Sequence, residues 1–191
     1  LDFNGQGTVL TTRQCLLNDN RNPGKSERDV ELKLLEGLGA RHTVWLDEGL
    51  KNDHTDGHVD TLARFIATDT VVCMRPASSD PNADVLRAIV TALEVARLAD
   101  GRKLQIAQVP SPGEVLSPHG VLLPATYMNF VFANSTVVVP TYGVKADELA
   151  LEVLSDLFPG RRVVGSSSRA LITGGGSFHC CTQQVPAVPW G

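Results

Sequence analysis

One order of elements occurs three times along this chain: strand, strand, helix, strand. The clearest copy is Thr126–Gly165. There "TYMNFVFA" and "STVVVP" read as two short strands joined at Asn134, and "ADELALEVLSDLF" reads as a helix with Leu149, Leu151, Val153, Leu154 and Leu157 as its apolar set. "RRVVGS" closes the unit as a strand. Asp60–Pro110 repeats the order, with strands "TLARFIA" and "TVVCMR", a long helix carrying Leu86, Ile89, Val90, Leu93 and Ala96, and the strand "KLQIAQVP". The first unit, Leu1–Asp47, reads as clipped. The strand that should precede the turn "NGQG" is mostly absent, and "GTVLTTRQCLL" follows as the second strand. Ser26 and Asp29 have capping-box spacing ahead of a helix expected to bury Val30, Leu34 and Leu38, and "HTVWL" closes the unit.

The reading is therefore an α/β chain of about three ββαβ units, at 1–47, 60–110 and 126–165, with earlier units expected upstream. Such units leave raw edges and unburied faces unless enough of them close a ring. The competing reading is an ordinary α/β sandwich with chance similarity between segments. Agreement of the turn and helix positions in all three units favours the repeat.

Composition narrows the function classes. Hydrophobic residues make up 42% of the chain, enough to build a buried core, and 17 Lys+Arg against 21 Asp+Glu give a net charge of −4. That balance argues against a nucleic-acid or anionic-membrane surface and permits a cationic ligand. Four cysteines in 191 residues do not make a disulfide framework. No apolar run is long enough to span a bilayer, and "LDFNGQGTVL" lacks the basic and apolar regions of a signal peptide, so a cytoplasmic location is expected.

The connections between units hold the chemically interesting residues. "GLKNDHTDGHVD" packs three aspartates and two histidines into a short span. If His58-Val59-Asp60 is extended, His58 and Asp60 face one side and Val59 enters the wall. A histidine moves protons near neutral pH and a carboxylate holds a cation. The bland alternative is a solvated turn whose Asp and His side chains cap backbone groups, which also accounts for Asp53 and Asp56. His54 and His58 have the spacing of a helical zinc pair, but Gly57 argues against a helix there. A zinc site of His54, His58, His179 and Cys180 is thus a poor second.

The stretch "GGGSFHCCTQQVP" places Cys180 and Cys181 beside His179, behind three glycines. A thiolate is a strong nucleophile when a neighbour lowers its pKa, and Gly174, Gly175 and Gly176 would let backbone approach a ligand closely. A vicinal disulfide or plain packing are the alternatives. Cys15, Cys73 and Trp45 read as packing residues within strands.

Taken together and in order, four stretches resemble the agmatine deiminase family, related to bacterial-type peptidyl-arginine deiminases. They are "GTVLTTRQCLLNDNRNP", "TDGHVDTLARFI", "LPATYMNFVFANSTVVVPTYG" and "GGGSFHCCTQQVP". The resemblance implies a pentein-type α/β propeller, five ββαβ units around a pseudo-fivefold axis, of which this chain holds about three. It implies hydrolysis of a guanidinium, with agmatine giving N-carbamoylputrescine and ammonia, and no metal or organic cofactor. By that resemblance Cys180 is the nucleophile, His58 the general acid/base and Asp60 a carboxylate that holds the guanidinium. Cys181 falls at a variable position. A second guanidinium-binding aspartate belongs to an upstream W-x-R-D motif that this chain lacks. His54 stands where the family usually has an acid, next to the substrate. The alternatives that stay open are arginine or peptidyl-arginine as substrate, and a fragment or subunit needing the missing N-terminal half. Homo-oligomerisation is left open as well.

Overall fold

The computed structural model describes residues 1–185. It contains three three-stranded sheets built to one plan. In each, the first two strands pair antiparallel, and the second pairs parallel with a third that returns after a helix. The first sheet comprises β1 (Asp2–Phe3), β2 (Thr8–Thr12) and β3 (His42–Leu46), with α1 (Arg13–Leu16) and α2 (Glu27–Leu38) between the last two. The second comprises β4 (Ala63–Phe65), β5 (Thr70–Arg75) and β6 (Gln105–Pro110), with α3 (Ala83–Val95). The third comprises β7 (Val131–Phe132), β8 (Thr136–Thr141) and β9 (Arg162–Ser167), with α4 (Ala146–Leu157). The thrice-repeated order read from the sequence is therefore present, and the first strand of each unit is short: two residues in β1 and β7 and three in β4.

Local chemistry accounts for the element ends. Ser26 accepts from Asp29 N–H while the Asp29 carboxylate accepts from Ser26 N–H, a reciprocal cap that satisfies two of the orphan donors of α2. At its other end Gly39 takes φ 68°, a left-handed conformation that glycine adopts without a Cβ clash. The central strands are rich in β-branched residues and are buried on both faces: all five residues of β2 are buried, as are Val71 to Met74 of β5.

Several expected elements are shorter or different. "GTVLTTRQCLL" does not run on as a strand. Thr12 Oγ1 accepts from Cys15 N–H and starts the short helix α1, so Cys15 is buried in a helical turn. "TLARFIA" keeps only Ala63–Phe65, and "TYMNFVFA" only Val131–Phe132. In α4 the buried residues are Ala150 and Leu154, and Leu149 is exposed; in α2 Leu38 is exposed as well. Trp45 is half-buried, with its indole N–H donating to Glu31 at 2.9 Å.

One large apolar core joins the second and third units and reaches Leu10, Val44 and Leu46 of the first. A smaller core of Val9, Val30, Leu34 and Ala40 lies under α2. The units are also tied by a buried ion pair. Arg64 on β4 bonds Asp2 of β1 at 2.8 Å, and its Nη1 donates to the carbonyls of Met128 and Phe130 at 3.3 and 3.1 Å. This single guanidinium links all three units and grips the backbone on both sides of Asn129. No helix among the described residues is long and apolar enough to cross a membrane.

Candidate active site

Three connections meet at one point: the turn before β4, the coil before β7 and the segment after β9. The first is built from "NDHTDGHVD". Asp53 Oδ1 accepts from Thr55 N–H and Oγ1–H at 2.9 and 2.6 Å, and Asp56 and Gly57 take left-handed φ values of 61° and 76°. Gly57 then lies against Gly49 so closely that a Cβ built on Gly49 would be 2.2 Å from Gly57 Cα. Thr12 Oγ1–H donates to Gly57 C=O at 2.7 Å, and Gln14 Oε1 accepts from Gly49 N–H at 2.7 Å. The first sheet thereby positions the residue just before His58.

His58 and Asp60 do not lie on a strand. Val59–Thr61 is a 3₁₀ turn, closed by Thr61 Oγ1–H donating to His58 C=O at 2.7 Å. The polar side chains of Asp53, Thr55 and Thr61 compete for the backbone here and replace extended pairing. Val59 is buried at 2% exposure, as expected of a wall residue. Asp60 is buried too, and His58 is half-buried.

Asp60 is the centre of the cluster. Its Oδ2 meets His179 Nδ1 at 2.6 Å, accepts from Asn129 Nδ2 at 3.0 Å, and lies 3.6 Å from Cys180 Sγ. Its Oδ1 is buried with no hydrogen-bond partner, the one such side-chain oxygen among the described residues. Burial works against the carboxylate's charge. The His179 hydrogen bond and charge, with His58 and Arg64 beyond it, nevertheless hold Asp60 below the usual carboxylate range. An ionised carboxylate only accepts, so His179 presents Nδ1–H to it.

The segment after β9 delivers the thiol. Ser168 and Ser177, both fully buried, share a hydrogen bond of 2.6 Å and close the loop between them. Gly175 takes φ 93°, and a Cβ there would come within 2.7 Å of the His54 ring. A Cβ on Gly176 would be 2.9 Å from Cys180 Cβ and 3.0 Å from its sulfur. Gly175 and Gly176 therefore admit the chain's own side chains, whereas Gly174 has open space around it. His179–Cys181 is a 3₁₀ turn on which Cys180 is exposed on one side. Burial pushes the Cys180 thiol up and the Asp60 charge adds to this; the Ser177 backbone and Asn129 amide pull the other way. His58 is lowered, because burial of the imidazolium outweighs the nearby Asp60. Cys181 is exposed, Cys15 and Cys73 are buried, and all four cysteines are free thiols.

Of the residues singled out in the sequence, Cys180 and Asp60 come together, and His58 is close enough for its charge to act on Asp60. His54 is exposed and packs on Gly175. No group of three His, Cys, Asp or Glu side chains among the described residues is arranged to hold a metal ion. His179 and Asn129 are the members that residue-by-residue reasoning did not assign. Both lie inside stretches that carry the family resemblance, which was the available signal. Pro186, which ends the last of those stretches, lies outside the described residues.

Repeated ββαβ units meeting at a cysteine, a carboxylate and histidines define a pentein-type α/β protein. The chain belongs to the Porphyromonas-type peptidyl-arginine deiminase family, whose profile matches residues 1–186. A protein of Marinomonas sp. (strain MWYL1), whose provisional name is agmatine deiminase, is 38% identical over 97% of this chain and 55% of its own length. The solved agmatine deiminase of Enterococcus faecalis superposes with a TM-score of 0.91 at 35% identity, over 96% of this chain and 55% of that one. An agmatine deiminase of C. jejuni, solved with a cysteine-to-serine change and substrate bound, gives a TM-score of 0.83 at 35% identity, over 93% of this chain and 52% of that one. The chain thus spans about half the length of the relatives it matches.

Proposed function

We propose that this chain carries the thiol-bearing part of a guanidinium hydrolase site, and that the protein it belongs to converts agmatine to N-carbamoylputrescine and ammonia. The observation that carries this reading is the unpartnered Asp60 Oδ1 beside a free thiol. A buried carboxylate oxygen without a donor costs on the order of 1–3 kcal/mol, and a planar guanidinium is the ligand that supplies N–H donors together with the opposite charge. The solved relatives named as agmatine deiminases support the same substrate class.

The chemistry follows from the charges. A Cys180 thiolate and an ionised Asp60 at 3.6 Å would repel by on the order of 5 kcal/mol at an effective dielectric constant of about 20, less where water reaches the exposed Cys180. A bound guanidinium cation offsets that repulsion, so the reactive thiolate forms when substrate is present, the thiol proton passing to His58. Sγ attacks the guanidinium carbon, an S–C bond forms, and the carbon becomes tetrahedral. His58 delivers a proton to one nitrogen, the C–N bond breaks and ammonia leaves, with an S-alkylthiouronium remaining on Cys180. Water, giving its proton to the now neutral His58, adds to the same carbon. The S–C bond then breaks as the added hydroxyl loses its proton to solvent, releasing the neutral ureido product and the thiolate, which His58 can reprotonate. Asp60 orients the guanidinium throughout and His179 holds Asp60 in place.

The test is ureido product formed from agmatine by this chain alone and by this chain with its upstream half. Cys180→Ala should remove turnover and Cys181→Ala should leave it. Turnover surviving Cys180→Ala rejects the assignment. Preference for free or peptidyl arginine over agmatine would keep the reaction class and replace the substrate.

A further inference from the structure

We propose that Asn129 is a further catalytic residue, whose side-chain amide donates to both the Cys180 sulfur and Asp60 Oδ2 and so lets a thiolate stand beside a carboxylate. This rests on Cys180 being the reacting sulfur of the proposed function, but it concerns the thiol rather than the identity of the substrate.

Asn129 is fully buried, and both polar atoms of its side chain and its backbone carbonyl are engaged within the site. Its Nδ2 lies 3.2 Å from Cys180 Sγ and 3.0 Å from Asp60 Oδ2. Its Oδ1 accepts from Cys180 N–H at 3.3 Å, and its backbone carbonyl accepts from His179 N–H at 3.1 Å. These partners settle which way the amide faces. Cys180 N–H needs an acceptor and an ionised carboxylate needs donors, so the reversed amide would set oxygen against Asp60 and nitrogen against an N–H.

The backbone is held as firmly as the side chain. Arg64 donates to the carbonyls on either side of Asn129, at Met128 and Phe130, and both of those residues are fully buried. The amide is therefore presented to the sulfur in a fixed place, without a reorganisation step as the thiolate forms. A neutral donor suits this position. A lysine or arginine there would pair with Asp60 and compete with the cationic substrate, whereas an amide stabilises both anions and leaves Asp60 Oδ1 free.

The test uses Asn129→Leu, which keeps the approximate size, adds no charge beside Asp60 and Cys180, and removes the donor. In a Cys181→Ser background, the rate of Cys180 alkylation by iodoacetamide is followed against pH, with the site verified by peptide mass spectrometry. The midpoint should move up, so that alkylation near neutral pH slows by about tenfold to a hundredfold, the size of a hydrogen bond to a charged group. A folded Asn129→Leu protein, judged by circular dichroism and melting, with the parent's alkylation profile would overturn the proposal. Should that variant not fold, the side-chain amide resonance of Asn129 in the parent protein decides the matter. It should titrate in step with Cys180 alkylation and stop doing so in Cys180→Ser; an amide signal indifferent to the thiol's ionisation refutes the contact. An intact Asn129 effect in a protein that does not hydrolyse agmatine would count against the proposed function and leave this inference standing.

Discussion

The contact between Gly49 and Gly57 makes a demanding test of how the site is positioned. Gly49 is not in the left-handed region of backbone space, so replacing it by alanine adds no dihedral strain and the effect is purely steric. The new Cβ would lie 2.2 Å from Gly57 Cα and 3.3 Å from both Gly57 N and C. Carbon atoms settle at about 3.5–4.0 Å, so the two segments must part by more than an ångström. The obstructing atoms are backbone, which cannot rotate away as a flexible side chain would. Overpacking of this kind costs about 1–3 kcal/mol, and separating the segments also strains the Thr12–Gly57 hydrogen bond, worth about 1 kcal/mol. A loss of about 3 kcal/mol should lower the melting temperature by roughly 6–12 °C in a chain of this size. Because Gly57 precedes His58 and Asp60, an ångström of displacement should also cut turnover by about a hundredfold. Gly37→Ala is the control: Gly37 lies in α2 with open space around it, so alanine there should stabilise by about 0.5–1 kcal/mol. Thermal melts by circular dichroism, with ureido-product assays in the protein carrying the upstream half, measure both. A Gly49→Ala protein that melts and turns over like its parent would refute the claim that this backbone contact positions the turn.

Two further perturbations follow from the buried charges. Arg64→Ala should destabilise by about 3–5 kcal/mol because it strands Asp2 in a buried site, while Arg64→Met with Asp2→Leu should recover much of that, as read from denaturant midpoints. Asp60 has a folded pKa held below its unfolded value, so its contribution is present above the unfolded carboxylate pKa of about 4 and lost as pH falls through the folded value. Asp60→Asn should therefore flatten the acid limb of stability against pH below about pH 4, and an unchanged acid limb would show that Asp60 is not held as described.

The unit order, α2 with its capping box, β3 at His42–Leu46 and the extent of α4 could be read from local patterns, because hydrophobic periodicity and helix caps are properties of neighbouring residues; α3, read over 80–98, forms only over Ala83–Val95. Where local signals mislead, polar side chains or long-range packing intervene. "TYMNF" has the aromatic composition of a strand, yet Arg64 pulls its carbonyls out of sheet pairing and only Val131–Phe132 joins β8. "HVD" alternates as a strand would, yet the hydroxyls and carboxylate of Thr55, Thr61 and Asp53 bend it into a turn.

Local sequence also marked Cys180, His58 and Asp60 as the residues with chemistry to offer, by type and by family resemblance. It had no way to show that Asp60 lies against His179 and Cys180, which are 119 and 120 residues away, or that Asn129 bridges Asp60 and Cys180. Those encounters depend on three separate ββαβ units packing at their connections, and only that packing leaves one carboxylate oxygen saturated and the other without a donor. Residue identity decides what a side chain can do; burial and the charges beside it decide when the thiol gives up its proton, and both are created by the tertiary fold.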